Sequence, residues 1–576
     1  LTKKGGSKPP FSFPPVERAP AAARVALLFC ALIAALPFLL PEHRAPLPSF
    51  YDEWLAVALA GCALASLGWR QRAFAVPNLS LWLAALAAWL AAQALLQPPA
   101  LWQLPFAGGV YLLLAAALAF LGHALARTLG PEPVADTLAS FLLVGAIANA
   151  AIGIVQFHGV PEALDGVVAR TSGPRVVGHV GQGNLYADYV ALGEVSLLYL
   201  YGRGRLARAS LIAAATLLVV ASTYSQSRTA IPFSLWIALL AWWMARGADP
   251  SWGRHARRAG FLLAATIAAI GLLPSIHESL GLRAAAFAID RLRDASAWRA
   301  EPRPEAWLLA IRLFLDSPWL GVGWGEFAGG AFRAGLPPAL AAHGVIWTSP
   351  HNVALQVLAE AGLIGAALAA AAVLIWTRDA ASAARRDRSL AAWWVIAVAG
   401  VVGAHALVEY PLWYAHILGL LALCAGIVSR RSLELRRVVI LAGVWPCCGL
   451  LAAVLAWTLV DYHRFEGARV IATGRTLAKP AEVGNAIDSL RATSRGPLGA
   501  KVTPWLCRSL AVDRDDLEAK LDTCARVLRY WPAPDLIARH AALLALAARR
   551  SDAIDPAARA AASYPHSQED LSGRRR

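Results

Sequence analysis

Residues 348 to 377 read "TSPHNVALQVLAEAGLIGAALAAAAVLIWT". From Ala354 to Thr377 the run carries a single charge, Glu360. At about 1.5 Å per residue such a helix spans the roughly 30 Å hydrocarbon core of a bilayer. A helix on a soluble surface would show a polar stripe at every turn. This segment is therefore expected to cross a membrane, with a polar pair, His351 and Asn352, at its entrance.

Twelve more apolar segments repeat the pattern, centred on residues 22 to 40, 53 to 69, 78 to 96, 107 to 127, 135 to 157, 185 to 201, 209 to 223, 229 to 245, 259 to 275, 390 to 408, 412 to 429 and 438 to 460. The composition agrees: 58% of the 576 residues are hydrophobic, 16% are charged, and 22 are tryptophan. These values exclude an ordinary soluble domain. The expected fold class is an all-α polytopic membrane protein with about thirteen transmembrane helices, in which the short second, sixth and seventh spans are tilted, broken or embedded. The first apolar run has no clear small-residue cleavage site and reads as a signal anchor.

The formal net charge of +16 sits mostly in loops. No basic patch is interleaved with aromatics as a nucleic-acid groove requires, so no nucleic-acid partner is expected. Arginines or lysines cluster before the first span (Lys3, Lys4, Lys8, Arg18) and after the even-numbered ones: Arg70 and Arg72, Arg127, Arg203 to Arg208, Arg246 to Arg258, Arg378 to Arg388, and Arg430 to Arg437. With thirteen spans all of these fall on one side. The positive-inside rule makes that side the cytoplasm and puts the C-terminus outside.

The resulting organisation is a cytoplasmic tail (1–21), a first transmembrane region (22–275), a large outer segment (276–353), a second transmembrane region (354–460) and an outer tail (461–576). The tail reads as amphipathic helices ended by prolines, resembling helix-turn-helix repeats of the TPR kind. Of seven cysteines none has zinc-ligand spacing. Cys507 and Cys524 share the tail, where an oxidising compartment would permit a disulfide; two buried thiols are the equal alternative.

Polar groups at membrane spans are costly and mark cavities or paired partners. Five clusters stand out, all on the expected outer face. "VGHVGQGNLYADY" carries Gln182 and Asn184 in a glycine-rich turn, where a helix N-cap is the simpler reading. "TYSQSRTA" carries Arg228, an outer arginine that asks for an anion unless it merely snorkels. "AWRAEPRPEAWLLAIRLFLDSPWLGVGWGEF" offers Arg299, Arg303 and Arg312 on an amphipathic helix, then Trp324 in a glycine-rich turn, suited to phosphate and headgroup contact or to a solvated face. In "TSPHNVALQVLAE", Asn352 is placed to cap a helix. His351 is placed at its positive end, where the dipole favours neutral imidazole, a proton acceptor. "HALVEYPLWYAH" breaks two spans at Glu409, Tyr410 and Pro411, with His405 one turn inside; the acid is a candidate relay, cap or ion-pair partner. The acidic runs at 290 to 294 and 513 to 516 are interrupted by arginine and lack a nearby histidine, so no metal site is expected. A transporter would share the spans but should show internal repeats and charge near mid-membrane, and neither is found.

"GVGWGEF" followed by "SPHNVALQVLAEAGLIG" resembles the shared core of the O-antigen ligase and polymerase superfamily of bacterial membrane glycosyltransferases, a GT-C-like fold. "HALVEYPLWY", "HRAPLPSFYDEWLA" and the helical tail narrow the likeness to protein glycosylation ligases of the PglL type. The resemblance implies an inner-membrane enzyme that takes glycan from undecaprenyl pyrophosphate at the periplasmic face and transfers it to serine or threonine of pilins and other exported proteins. It implies no metal, nucleotide sugar or other cofactor. His351 matches the family's essential histidine, Arg228 its serine-arginine pair, and Arg303 an arginine four residues before a tryptophan, here Trp307, with Arg312 the alternative. Gln182 and Asn184 match a glycine-glutamine-proline-asparagine element in which Gly183 replaces proline. Asn352, Glu409, Tyr410 and Trp324 are the further expected substrate contacts. Direct displacement by one hydroxyl would invert the anomeric carbon. The O-antigen ligase, whose acceptor is lipid A-core, and the polymerase, whose acceptor is a lipid-linked repeat, are the alternatives within the superfamily.

Overall fold

The computed structural model describes residues 20–67, 73–171, 175–246, 250–282, 287, 289–290, 301–343, 346–474, 478–549, 554, 559–560 and 562–564. Arg299, the basic residues Lys3, Lys4, Lys8, Arg18, Arg70 and Arg72, and most of the acidic run at 290 to 294 lie outside them.

A helix occupies each of the thirteen apolar segments: α1 (Ala21–Ile33), α2 (Phe50–Ser66), α3 (Asn78–Leu96), α4 (Gln103–Leu129), α5 (Pro131–His158), α6 (Gly183–Gly202), α7 (Arg208–Tyr224), α8 (Ala230–Ala245), α9 (Pro250–Ser279), α12 (Val353–Arg386), α13 (Leu390–Ala406), α14 (Ala415–Val428) and α15 (Arg437–Ala472). Between α9 and α12 lie α10 (Arg303–Asp316) and α11 (Phe327–Ala334). After α15 come α16 (Pro480–Thr493), α17 (Gly499–Ser509), α18 (Leu517–Leu528) and α19 (Pro534–Leu546). Among the described residues, six segments are long and apolar enough to cross a membrane by length and composition, namely Ala21–Leu39, α3, α4, α5, α9 and α12, while α7, α8, α13 and α14 are apolar but shorter. The protein is a mainly helical, multi-pass membrane protein.

Helix α6 is the hub: every residue from Leu185 to Leu200 is buried. It packs on α5, α7 and α13, and α13 is itself buried around Trp393 and Trp394. Small residues allow such proximity. Between α4 and α14, a Cβ on Gly122 would meet the Leu423 carbonyl oxygen at 2.1 Å, and one on Gly426 would meet that of Ala119 at 2.1 Å. The two basic loops around residues 73 and 436 form one antiparallel ribbon, β1 (Ala73–Pro77) with β2 (Ser432–Arg436), in register from Ala73 opposite Arg436 to Pro77 opposite Ser432. Both loops therefore stand at the same end of the bundle. The sequence reading, all-α, missed this ribbon because its five-residue strands lie in charged connections with little apolar alternation.

The opening stretch is not one helix. Helix α12 breaks at Gly362, whose φ of +66° and ψ of −170° leave the helical region. The turn Pro318 to Gly323 docks into the break: Leu363 N–H donates to Pro318 O at 2.8 Å, and Val322 N–H donates to Ala359 O at 2.8 Å. Gln93 on α3 donates to the carbonyls of Leu320 at 2.5 Å and Glu360 at 2.7 Å, and Trp89 donates to that of Ala361 at 3.0 Å. The carbonyls freed by the break thus find donors, as they must in an apolar setting.

Helix α15 continues without interruption from its apolar part into the tail. There Phe465 and Ala468 join Leu490, Val502 and Leu506 in one small core. Cys507 and Cys524 are joined as a disulfide, which resolves the open choice between pairing and free thiols. Gln103 donates to the Ser494 and Gly496 carbonyls at 3.1 Å, and Arg529 meets Glu326 at 3.3 Å. The tail is therefore seated on the same end of the bundle as the α10–α11 segment.

Candidate active site

Glu409, in the turn after α13, is only 7% exposed. Its Oε1 accepts from Arg303 Nη2 at 2.6 Å and from Asn184 Nδ2 at 3.1 Å, and its Oε2 lies 2.8 Å from His351 Nδ1. Four separate elements converge on one carboxylate: the starts of α6 and α10, the entrance to α12 and the end of α13. Burial pushes the Glu409 carboxyl up, but the hydrogen bond and charge of His351, followed by those of Arg303, outweigh it and hold it at about 2. Beside it, burial and the Glu409 charge push the Tyr410 phenol above its ordinary value.

His351 has a left-handed backbone, φ +55°, a conformation that is uncommon outside glycine and is held only when surroundings enforce it. Its N–H donates to Ser349 Oγ at 3.0 Å. The rings of Trp347 and Tyr410 stand edge-on to the imidazole at 5.2 and 5.1 Å. Asn352 caps α12, accepting from Leu355 N–H at 3.1 Å, and its amide reaches Leu407 O at 3.1 Å. The sequence reading assigned control of the imidazole to the helix end alone. The structure adds a carboxylate 2.8 Å from Nδ1, a partner that in the neutral ring favours the proton on Nδ1 and leaves the Nε2 lone pair free.

The arginines form a second layer of charge. Glu301 bridges them, with Oε1 2.8 Å from Arg303 Nη1 and Oε2 3.5 Å from Arg228 Nη1. Arg175 Nη2 donates to Asn184 Oδ1 at 2.8 Å, turning the Asn184 amide group toward Glu409. A Cβ at Gly183 would meet the Arg175 guanidinium carbon at 3.1 Å, so glycine at this position leaves room for Arg175. Arg175, Arg228 and Arg303 outnumber Glu301 and Glu409 by one unit of charge, which suits a site for an anionic group.

Two expected contacts take other roles. Gln182 is the N-cap of α6, its Oε1 accepting from Leu185 N–H at 2.8 Å; the capping role assigned to Asn184 as the simpler reading belongs to its neighbour. Trp324 stacks on Trp413 at 5.9 Å and presses on Gly108 of α4. Arg312 is exposed, nine residues along α10 from Arg303 or about 13 Å by the helical rise. His405 and Asp188, hydrogen-bonded to each other, lie one turn further inside, and Glu409 N–H donates to His405 O at 2.8 Å. The sequence reading missed Glu301, Arg175 and Asp188. Asp188 follows Asn184 by four residues on the same helix face, a spacing that would have revealed it. Among the described residues no group of three or more His, Cys, Asp or Glu side chains is set to hold a metal ion.

Residues 211–370 match the family described as O-Antigen ligase, and residues 393–575 match the one described as virulence factor membrane-bound polymerase, C-terminal. The chain belongs to the O-antigen ligase superfamily. Within the superfamily its kinship is with PglL-type oligosaccharyltransferases: it is 25% identical over 470 residues, 77% of each chain, to the general O-oligosaccharyltransferase of Acinetobacter baylyi. The protein is thus a membrane glycosyltransferase. Arg228, Arg303 and His351 lie inside the ligase match and Glu409 inside the polymerase match, so the cluster joins the two matched regions.

Proposed function

We propose that this glycosyltransferase moves a glycan from an undecaprenyl-pyrophosphate-linked oligosaccharide to serine or threonine hydroxyls of exported, pilin-like proteins at the periplasmic face of the bacterial inner membrane. The observation that carries the reading is the shared carboxylate of Glu409, bonded to His351 Nδ1 on one oxygen and Arg303 on the other. It ties the proton acceptor to the cation that faces the leaving group.

In the proposed reaction the acceptor hydroxyl gives its proton to His351 Nε2 while its oxygen bonds to the anomeric carbon. The bond from that carbon to the pyrophosphate oxygen breaks, and the electron pair leaves with the polyprenyl pyrophosphate. One displacement inverts the anomeric carbon. Arg303 and Arg228 meet the developing negative charge as permanent, directional cations. Glu301, which bridges them, occupies the place an incoming pyrophosphate would take. With arginines in this role the reaction requires no metal, and transfer is expected to persist in EDTA.

Orientation is proposed on two grounds. The basic loops favour the cytoplasmic side, and the Cys507–Cys524 disulfide suits an oxidising compartment for the tail, which shares its end of the bundle with Glu409. The acceptor is tested by expressing the chain in a bacterial host that makes a lipid-linked glycan and following the glycan. Glycan on an exported protein is expected. Glycan confined to lipopolysaccharide would reject the protein acceptor and favour the O-antigen ligase reading, which the match over residues 211–370 supports as the second choice.

A further inference from the structure

Helix α6 runs from Asn184 at the Glu409 cluster to Tyr201 and Gly202, about 26 Å away by the helical rise. At that far end, a cavity of about 330 Å³ is lined by Tyr201, Gly202, Leu206, Arg254, His255 and Arg258, among others, and among the described residues no carboxylate lines it. Its wall includes the first turns of α9, whose N-terminal dipole favours anions.

Three features single out the cavity. His255 is 2% exposed, and neither ring nitrogen has a hydrogen-bond partner; the ring is fixed by edge contacts to Trp393 at 4.3 Å and Trp252 at 5.5 Å. A buried polar group without a partner costs stability unless something meets it. Arg203 and Arg205, at the same end, are both paired with Asp136. Among the described residues Arg254 and Arg258 have no carboxylate partner, and Arg258 lies over the Tyr201 ring at 4.6 Å. Finally, Trp242 and Trp243 at the end of α8 are exposed, with Arg246 over Trp242 at 3.7 Å. Exposed tryptophans with adjoining arginine are the mark of a membrane–water interface.

We infer that this cavity is a phosphate-binding site, in which Arg254 and Arg258 pair with the anion and His255 hydrogen-bonds a phosphate or adjoining hydroxyl oxygen. Basic pockets between transmembrane helices take lipid headgroups in this way. The same chemistry would accept a free phosphate. The site is independent of the transfer reaction and lies at the opposite end of the bundle.

The test uses full-length protein in nanodiscs of phosphatidylcholine, with either phosphatidylglycerol or inorganic phosphate as probe, and reads bound probe by native mass spectrometry or phosphorus NMR. Arg254→Gln with Arg258→Gln is compared with Arg246→Gln with Arg257→Gln, which removes the same charge outside the cavity. By the roughly five-fold worth of one arginine that pairs with a bound anionic headgroup, losing the cavity pair should weaken binding about 25-fold. The control pair should have a much smaller effect. His255→Phe, which keeps an aromatic ring, should also weaken binding and provides a second variant if the arginine pair fails to fold. Selective loss of phosphatidylglycerol supports a lipid ligand, and selective loss of inorganic phosphate alone supports a soluble one. No binding of either probe, or equal binding by cavity and control variants, overturns the site.

Discussion

Glu409 carries the strongest residue-level consequences, because three side chains depend on its charge. Glu409→Gln should leave the imidazole free to turn and Arg303 held by Glu301 alone, lowering transfer by about a hundred-fold or more, the scale of a misoriented general base. The stability effect has a definite sign. The folded carboxyl sits at about 2 against roughly 4.3 for an unperturbed glutamate, so its contribution is complete above the unfolded value and is lost as pH falls toward 2. Melting temperature measured between pH 6 and 3 should therefore fall more in the wild type than in Glu409→Gln; parallel curves would contradict the pairing. His351 and Arg228 could be singled out in sequence because a polar residue beside a span is costly. Glu301 could not, since an acid two residues from an arginine in a polar segment looks like solvated charge until the fold brings Arg228 to it.

Among the elements, the break in α12 has the clearest energetic signature. A Cβ on Gly362 would meet the Trp319 carbonyl oxygen at 2.3 Å on top of a left-handed φ. Gly362→Ala should accordingly cost about 1–3 kcal/mol or more and lower the melting temperature of the purified protein. Gln93→Leu should cost about 1–3 kcal/mol by removing the Gln93 donor from the Leu320 carbonyl and leaving that of Glu360 with Gly323 N–H alone. Unchanged melting in both would contradict the docking of the glycine-rich turn into the break. Apolar runs located a helix in each of the thirteen segments, six of them, among the described residues, long and apolar enough to cross a membrane. They could not locate the break, since glycine within an alanine-rich run keeps the same hydropathy; the decisive partners, Trp319 and Gln93, are remote in sequence.

For the whole molecule, the cluster draws its parts from residues 175 to 409, so the proposed site depends on the bundle holding α6, α10, α12 and α13 together. The tail is fastened to the same end through Gln103 and Arg529. Arg529→Ala should loosen that seat, seen as faster proteolysis of the tail with smaller loss of transfer than at Glu409. Charge alternation suggested which loops share a side, and the β1–β2 ribbon joins two of them. The tail's docking was not legible, because each contact pairs residues hundreds of positions apart. The central claim is that His351, oriented by Glu409, accepts the proton of the acceptor hydroxyl. Its most direct test is His351→Ala in proteoliposomes supplied with undecaprenyl-pyrophosphate glycan and an exported acceptor protein. The account predicts a folded, membrane-inserted protein with no detectable glycan on the acceptor; transfer at the wild-type rate would contradict it.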